Sequence, residues 1–453
     1  MADLPEGLLL PAEDEEAARD RSATALVAAR SGRAPRLRAV ARPKSTQEVA
    51  ELLRWAQETR APVVARGGGS GVCRGVEADG FVVVDLSALN NITGIDEESR
   101  LVTAQAGVTG PQVTRFLAER GYTLGHEPQS IDISTVGGWI ATRACGQLSA
   151  RFGGIETMVA GLEAVLPGGH TVTSKPSPRR AAGPDVASLM IGSEGSLGIV
   201  TEATLRFSPL PQGRADRCLS FDNMAPALEA VRTVAQSGLS PTLVRLYDPE
   251  DTALLLLSRG DSLEGPLLLL SFDGYEPEDR AGRALEMCAG VPQDPALVAH
   301  WWEHRNDAVR QYAQIMAGEG VLGPHGVVDT MEVSAPWSRI EELYGRMKEA
   351  LSERADLCAC HLSHVYGDGA CLYFTVAAAC EAEEEAVRRL ESWWQAGMSE
   401  CLAAGGSISH HHGIGRLKAR WLPEELDGFY DVLRAVKTAV DPHGIMNPGV
   451  LGL

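Results

Sequence analysis

The sequence predicts an α+β fold built in two parts, and three observations carry that expectation. Short apolar strand patterns alternate with helical ones from residue 43 to residue 121. Three glycine clusters follow one another in the first half of the chain. Past Pro209-Leu210-Pro211-Gln212-Gly213 the texture changes, and a second mixed region begins. A chain of 453 residues is long enough for two cores. The expected divisions are a lead-in over 1–35, a first domain over 36–210, a second over 211–405, and a final segment over 406–453 that returns to the first domain.

Taken in order, residues 1 to about 35 are rich in Ala, Arg and Glu and read as a solvated helical lead-in. Pro43-Lys44-Ser45-Thr46 leads into a helix that Ser45 or Thr46 caps, with Val49, Leu52, Leu53 and Ala56 as its apolar stripe. Pro62 to Arg66 is a short buried strand, and strands also read at 81–86 and 101–107. Val113 to Arg120 is a helix stopped by Gly121. Met158 to Leu166, the turn Pro167-Gly168-Gly169-His170 and Thr171 to Thr173 form a hairpin. Ile199 to Phe207 alternates as a strand. In the second region helices are expected at 224–237, 278–289 and 337–352, and strands at 242–247, 266–272, 327–334 and 371–378. Pro423 to Val440 reads as one amphipathic helix before the turn-rich run Asp441 to Gly449.

Composition excludes several classes. The formal net charge of −19 argues against a nucleic-acid binder. Nine cysteines without regular spacing predict reduced thiols in a cytoplasmic protein. No signal peptide is expected from the acidic N-terminal run, and no apolar run is long enough to span a bilayer. The final Gly452-Leu453 is not a peroxisomal address.

The glycine clusters carry the first functional signal. They are Arg66-Gly67-Gly68-Gly69-Ser70-Gly71, then Ser134-Thr135-Val136-Gly137-Gly138-Trp139, then Ile191-Gly192-Ser193-Glu194-Gly195-Ser196-Leu197-Gly198. Glycine lets backbone amides approach a phosphate, because no Cβ intervenes. One such cluster alone reads as a tight turn. Three in one domain suit a long phosphate-bearing cofactor. Gly67-x-Gly69 has no third glycine opening a helix, which disfavours a Rossmann fingerprint.

From about Ala39 to the C-terminus the chain resembles the flavoprotein superfamily of vanillyl-alcohol oxidase and p-cresol methylhydroxylase. Within it the chain is most similar to the alkyldihydroxyacetonephosphate synthase family. The runs that carry the second likeness are Met190 to Gly195, Ser334-Ala335-Pro336-Trp337, His364-Val365-Tyr366, Ala370 to Phe374 and Ser409-His410-His411-His412-Gly413. The resemblance implies a two-subdomain FAD-binding domain of the p-cresol methylhydroxylase type, plus a mixed α/β cap domain with an antiparallel sheet. It assigns to FAD the residues Arg66, Gly67, Gly68, Gly69, Ser70 and Gly71 on one side. Pro128, Ser130, Ser134, Thr135, Gly137, Gly138 and Thr142 stand on the other. Glu194, Gly195 and Ile199 or Val200 lie along the adenosine or ribityl end. The first loop, through Cys73, lacks the His by which some members attach FAD, so non-covalent FAD is expected.

The same resemblance implies exchange of an acyl group for a fatty alcohol on a phosphorylated ketone, through a flavin N5 adduct and without net redox change. Tyr373, His410, His411, His412 and Arg245 would carry it: histidines for proton transfer and for phosphate, Arg245 as a forked anion partner. On composition alone three consecutive histidines read as a solvated loop, Arg245 as an ion pair and Tyr373 as packing. The alternative is an FAD-linked D-2-hydroxyacid dehydrogenase or oxidase; many of these bind a divalent metal through two histidines and a glutamate. Here Tyr373 and His411 stand at two of those positions, so no metal is expected. A flavin-binding protein without activity is the third reading. The expected partner is a small molecule, with a phosphate and an acyl or alkyl chain if the synthase likeness holds. Peripheral membrane contact and a homodimer stay open.

Overall fold

The structure is a computed structural model that describes residues 9–10, 15–257 and 259–453. Two compact units divide the chain. The first unit gathers the described parts of Met1–Cys145, Gly154–Leu210 and His411–Leu453. The second takes Gly146–Gly153 and Pro211–His410. The eight residues 146–153, read from sequence as part of the first domain, therefore belong with the second unit.

Two sheets organise the first unit. Strands β1 (Leu9–Leu10), β2 (Ala39–Ala41), β3 (Val63–Arg66) and β4 (Val82–Asp85) form one, in the order β1-β2-β4-β3. β4 pairs in parallel with both β2 and β3. The parallel pairing needs crossover connections, and the helix Thr46–Thr59 supplies that between β2 and β3. Ser45 caps that helix by accepting from the Glu48 amide, which resolves the two capping choices. Its stripe of Val49, Leu52, Leu53 and Ala56 packs with Val63, Val82, Val84, Ile445 and Met446. A fully buried side chain of this kind contributes roughly 1.5–3 kcal/mol.

β5 (Ile92–Asp96), β6 (Leu101–Gln105), β7 (Val159–Leu166), β8 (His170–Thr173) and β9 (Ile199–Arg206) form the second sheet, antiparallel, in the order β5-β6-β9-β7-β8. The lead-in departs from expectation: Ala23–Arg30 is its one α-helix among the described residues, and Ala17, Ala18, Asp20, Ser22 and Val27 are buried rather than solvated. Residues 1–8 and 11–14 lie outside the described residues.

The second unit is built on one antiparallel sheet. Its strands are β10 (Arg214–Ser220), β11 (Leu243–Tyr247), β12 (Leu267–Asp273), β13 (Val291–Pro292), β14 (Val327–Pro336), β15 (Leu357–Val365) and β16 (Gly369–Ala378). Their order is β13-β10-β12-β11-β15-β16-β14. Helices Met224–Gln236, Pro277–Glu286 and Trp337–Ser352 match the sequence reading to within three residues at each end. The expected single helix over Pro423–Val440, in the first unit, is two helices, Leu422–Leu426 and Gly428–Val440. Asp427 breaks it with φ of 47°. No helix among the described residues is long and apolar enough to cross a membrane.

Candidate functional site

In the first unit β3 delivers the first glycine loop. The amides of Gly67 through Val72 donate to nothing among the described residues, so they stand as a row of available donors. Gly69 is left-handed, with φ of 64°. A Cβ on Gly67 would strike the Thr135 hydroxyl, and one on Gly68 the Ile133 carbonyl. Backbone therefore approaches backbone here. A pyrophosphate requires such a row of donors without intervening side chains, so the residues fit FAD.

In the second loop several of the polar groups are already engaged within the protein. The Val136 amide donates to Val108 O at 2.9 Å and the Gly137 amide to Ala106 O at 2.8 Å. The Gly138 amide is capped by Thr135 Oγ1 at 3.3 Å, and Thr142 Oγ1 donates to Gly138 O. Ser134 Oγ accepts from the Trp139 indole at 2.8 Å, and the Ser134 amide donates to Ser130 O. Pro128 O receives the Ile131 amide. These bonds tie the loop to Ala106 and Val108 and to the helix Val136–Thr142, and Thr135 lies against Gly67 of the first loop.

The third loop is braced by the C-terminal segment. Glu194, with φ of 50°, is followed by Gly195 at 74°. The Glu194 carboxylate accepts from the Ile414 amide at 2.7 Å and the Gly415 amide at 2.9 Å. Burial pushes this carboxyl up to about 7, opposed by those amides and by Lys418. Its side chain is thus spent on the turn after the histidines. Ile199 and Val200 are buried at the start of β9, opposite Val165 and Ala164. Asn447 ties the loops together, donating to Gly75 O and Glu194 O. Lys437 donates to Ser196 O, Met446 O and Asp441. Asp20 completes the frame: its carboxylate accepts from the Gly75 amide at 2.8 Å, and the Arg21 amide bonds Gly71 O. Burial raises Asp20 to about 6.

In the second unit Arg245 and Tyr373 meet the same ring. Arg245 Nη2 lies 2.8 Å from His361 Nε2, and His361 Nδ1 lies 2.8 Å from Asp251 Oδ2. Tyr373 stacks on His361, with centroids 4.7 Å apart and planes 14° apart. Arg245 also lies over the rings of Tyr247 and Trp301. Burial, then the Arg245 charge, lowers His361 to about 4, so the imidazole is neutral at pH 7. Asp251 accepts the Nδ1 proton, and Nε2 accepts from Arg245. Arg245 has no carboxylate in direct contact among the described residues; Asp251 reaches it only through the His361 ring.

His410 occupies a second cluster of this unit. Its amide donates to Glu332 Oε2 at 2.5 Å, and Ser409 Oγ donates to Glu332 Oε1. His410 Nε2 lies 3.0 Å from the Tyr366 hydroxyl, and its ring stacks on His364 at 4.9 Å. Ser149, from the 146–153 segment, bonds His364 Nδ1 at 2.7 Å. Burial lowers His410 to about 4, against a raising contribution from Glu332. Glu332 lies opposite Tyr373 in the β14–β16 ladder. His411 and His412 belong to the first unit, their rings 4.4 Å apart.

His361, Asp251, Glu332 and Ser149 were missed from sequence. β15, which carries His361, is not among the strands expected from the sequence. Two histidines, His361 and His364, inside the otherwise apolar run Leu357–Val365 were the available signal.

Comparisons with known proteins agree with this frame. Residues 37–175 match the family model described as FAD binding domain, and residues 210–451 that of FAD linked oxidases, C-terminal domain. The chain is 34% identical over 91% of its length to an Escherichia coli (strain K12) protein named "Uncharacterized FAD-linked oxidoreductase YgcU", covering 88% of it. It is 30% identical over 92% of its length to the Caenorhabditis elegans alkyldihydroxyacetonephosphate synthase, covering 76% of that protein. The Arabidopsis thaliana mitochondrial cytochrome D-lactate dehydrogenase is 28% identical over 90% of the chain, with 72% of it covered. A solved alkyldihydroxyacetonephosphate synthase superposes with a TM-score of 0.77 at 25% identity, over 95% of this chain and 80% of that one. p-Cresol methylhydroxylase superposes at 0.73 and 17% identity over 93% and 89%, a likeness of fold alone.

Proposed function

The chain belongs to the FAD-linked oxidase family, as an alkyldihydroxyacetonephosphate synthase-like flavoenzyme, and from that premise we propose that it exchanges an acyl group for a fatty alcohol on a phosphorylated ketone. The observation that supports this reading is Arg245: a half-buried guanidinium with no carboxylate partner among the described residues, held by a neutral imidazole. Such a group suits a phosphate.

Bound FAD, held without a covalent link at the amides of Gly67–Val72, supplies a centre that takes up and returns an electron pair. Arg245 binds the substrate anion. Tyr373, fixed by its stack on His361, presents a hydroxyl beside that anion. Burial holds the Tyr373 phenol well above its ordinary value, so it acts as a proton donor rather than a phenolate. His410, neutral and positioned through Glu332 and Tyr366, is the proton acceptor. In the overall exchange the carbon–oxygen bond to the carboxylate breaks and one to the alcohol forms. The alcohol proton leaves with the fatty acid, and no electrons are gained or lost.

A second reading, oxidation of a D-2-hydroxyacid, is favoured by the D-lactate dehydrogenase relative, and Arg245 suits a carboxylate equally. A panel of D-lactate, D-2-hydroxyglutarate, glycolate and an acyl-dihydroxyacetone phosphate with a fatty alcohol separates them. Ether product without dye reduction is the expected result. Strong dye reduction by a hydroxyacid, with no ether formed, overturns the proposal.

A further inference from the structure

We propose that Asp251 and His361 are positioning residues that hold Arg245 as an oriented, charge-bearing anion receptor. The inference rests on the reading of Arg245 given above; it adds Asp251 and the sense of donation that runs from Arg245 through His361 to it.

The geometry forms a chain with one sense of donation. Asp251, on the helix Pro249–Leu257, can only accept, so it fixes the proton of His361 on Nδ1 at 2.8 Å. Nε2 is then left as a lone pair directed at Arg245 Nη2, also at 2.8 Å. A guanidinium has donors only, so this tautomer is the one that Arg245 can accept as a neighbour. A carboxylate in place of His361 would hold Arg245 too, but would cancel its charge. A neutral imidazole orients the fork and leaves the charge for a ligand. Asp251 thus acts at one remove, through a ring that carries no charge of its own. The ring also stacks on Tyr373, so one side chain sets both the anion receptor and the adjacent hydroxyl. The aromatic faces of Tyr247 and Trp301 confine the guanidinium from other directions.

The amide of glutamine can mimic this ring: its carbonyl accepts from Arg245 while its NH2 donates to Asp251. Leucine can do neither. The test therefore compares His361→Leu, His361→Gln, Asp251→Ala and Arg245→Ala in the FAD-loaded protein. Calorimetric titration with inorganic phosphate is the readout, alongside flavin content and thermal midpoint as checks of folding. The expected result is phosphate binding weakened at least about tenfold in Arg245→Ala, His361→Leu and Asp251→Ala, with recovery to within about threefold of the parent in His361→Gln. In turnover, the same variants should raise KM more than they lower kcat. Loss in Arg245→Ala with no change in His361→Leu overturns the inference and leaves the anion site standing. Unchanged binding in Arg245→Ala removes the anion site and the inference together. Equal loss in His361→Leu and His361→Gln, with both folded, contradicts the donor–acceptor argument.

Discussion

Glu194→Gln is expected to abolish a pH dependence that the parent carries in the turn after the histidines. The carboxyl is buried, and its folded value of about 7 stands above the ordinary 4.5. For a raised carboxyl, the stabilisation is complete below the unfolded value and is lost as pH rises through the folded one. From about pH 5.5 to about pH 8 that linkage removes about 2 kcal/mol, roughly a thirtyfold change in an opening equilibrium. The groups that respond are the Ile414 and Gly415 amides, which the carboxylate holds. Lys418 moderates the shift, and Asp20, raised to about 6, adds to it. Hydrogen exchange, read by mass on a peptide spanning 411–418 and corrected for intrinsic rates, isolates the effect. The parent peptide should lose about thirtyfold protection over that pH range, while Glu194→Gln stays nearly flat. Equal protection of the parent peptide at both pH values would refute the assignment of the charge to this turn.

Gly68→Ala should cut flavin content at least tenfold, since its Cβ would overlap the Ile133 carbonyl beneath the amide row; undiminished FAD in the purified variant would sink the cradle. Lys437→Met leaves the Asp441 carboxylate buried without its cation and should cost about 3–5 kcal/mol of local stability, seen as faster exchange in residues 441–449, where little change would count against it. Tyr373→Phe and His410→Ala should each lower turnover roughly a hundred- to ten-thousand-fold with FAD retained, and near-parent rates would move the chemistry to other residues.

The sequence disclosed the glycine loops because backbone approach demands glycine wherever it occurs, and no pairing need be known to read it. Helices with long apolar stripes, such as Trp337–Ser352, were equally plain. What stayed hidden depends on partners far along the chain. Glu194 looked like a cofactor residue, yet its carboxylate serves amides more than two hundred positions away. The second loop looked like a phosphate cradle throughout, yet two of its amides, Val136 and Gly137, are taken by Val108 and Ala106. β15 was missed because its buried residues do not alternate, being covered on both faces, and with it went His361. Asp251 could not be found without the β11–β15 pairing that brings His361 beside Arg245 and its neighbouring helix.

Turnover in the absence of any electron acceptor tests the exchange reading most directly. The FAD-loaded protein would be held anaerobically with an acyl-dihydroxyacetone phosphate and excess fatty alcohol, and ether and fatty acid counted per flavin. Exchange predicts many turnovers per FAD, one fatty acid released for each ether formed, and an oxidised flavin spectrum at the end. No ether, with a hydroxyacid instead bleaching the flavin in a single stoichiometric turnover, would contradict it.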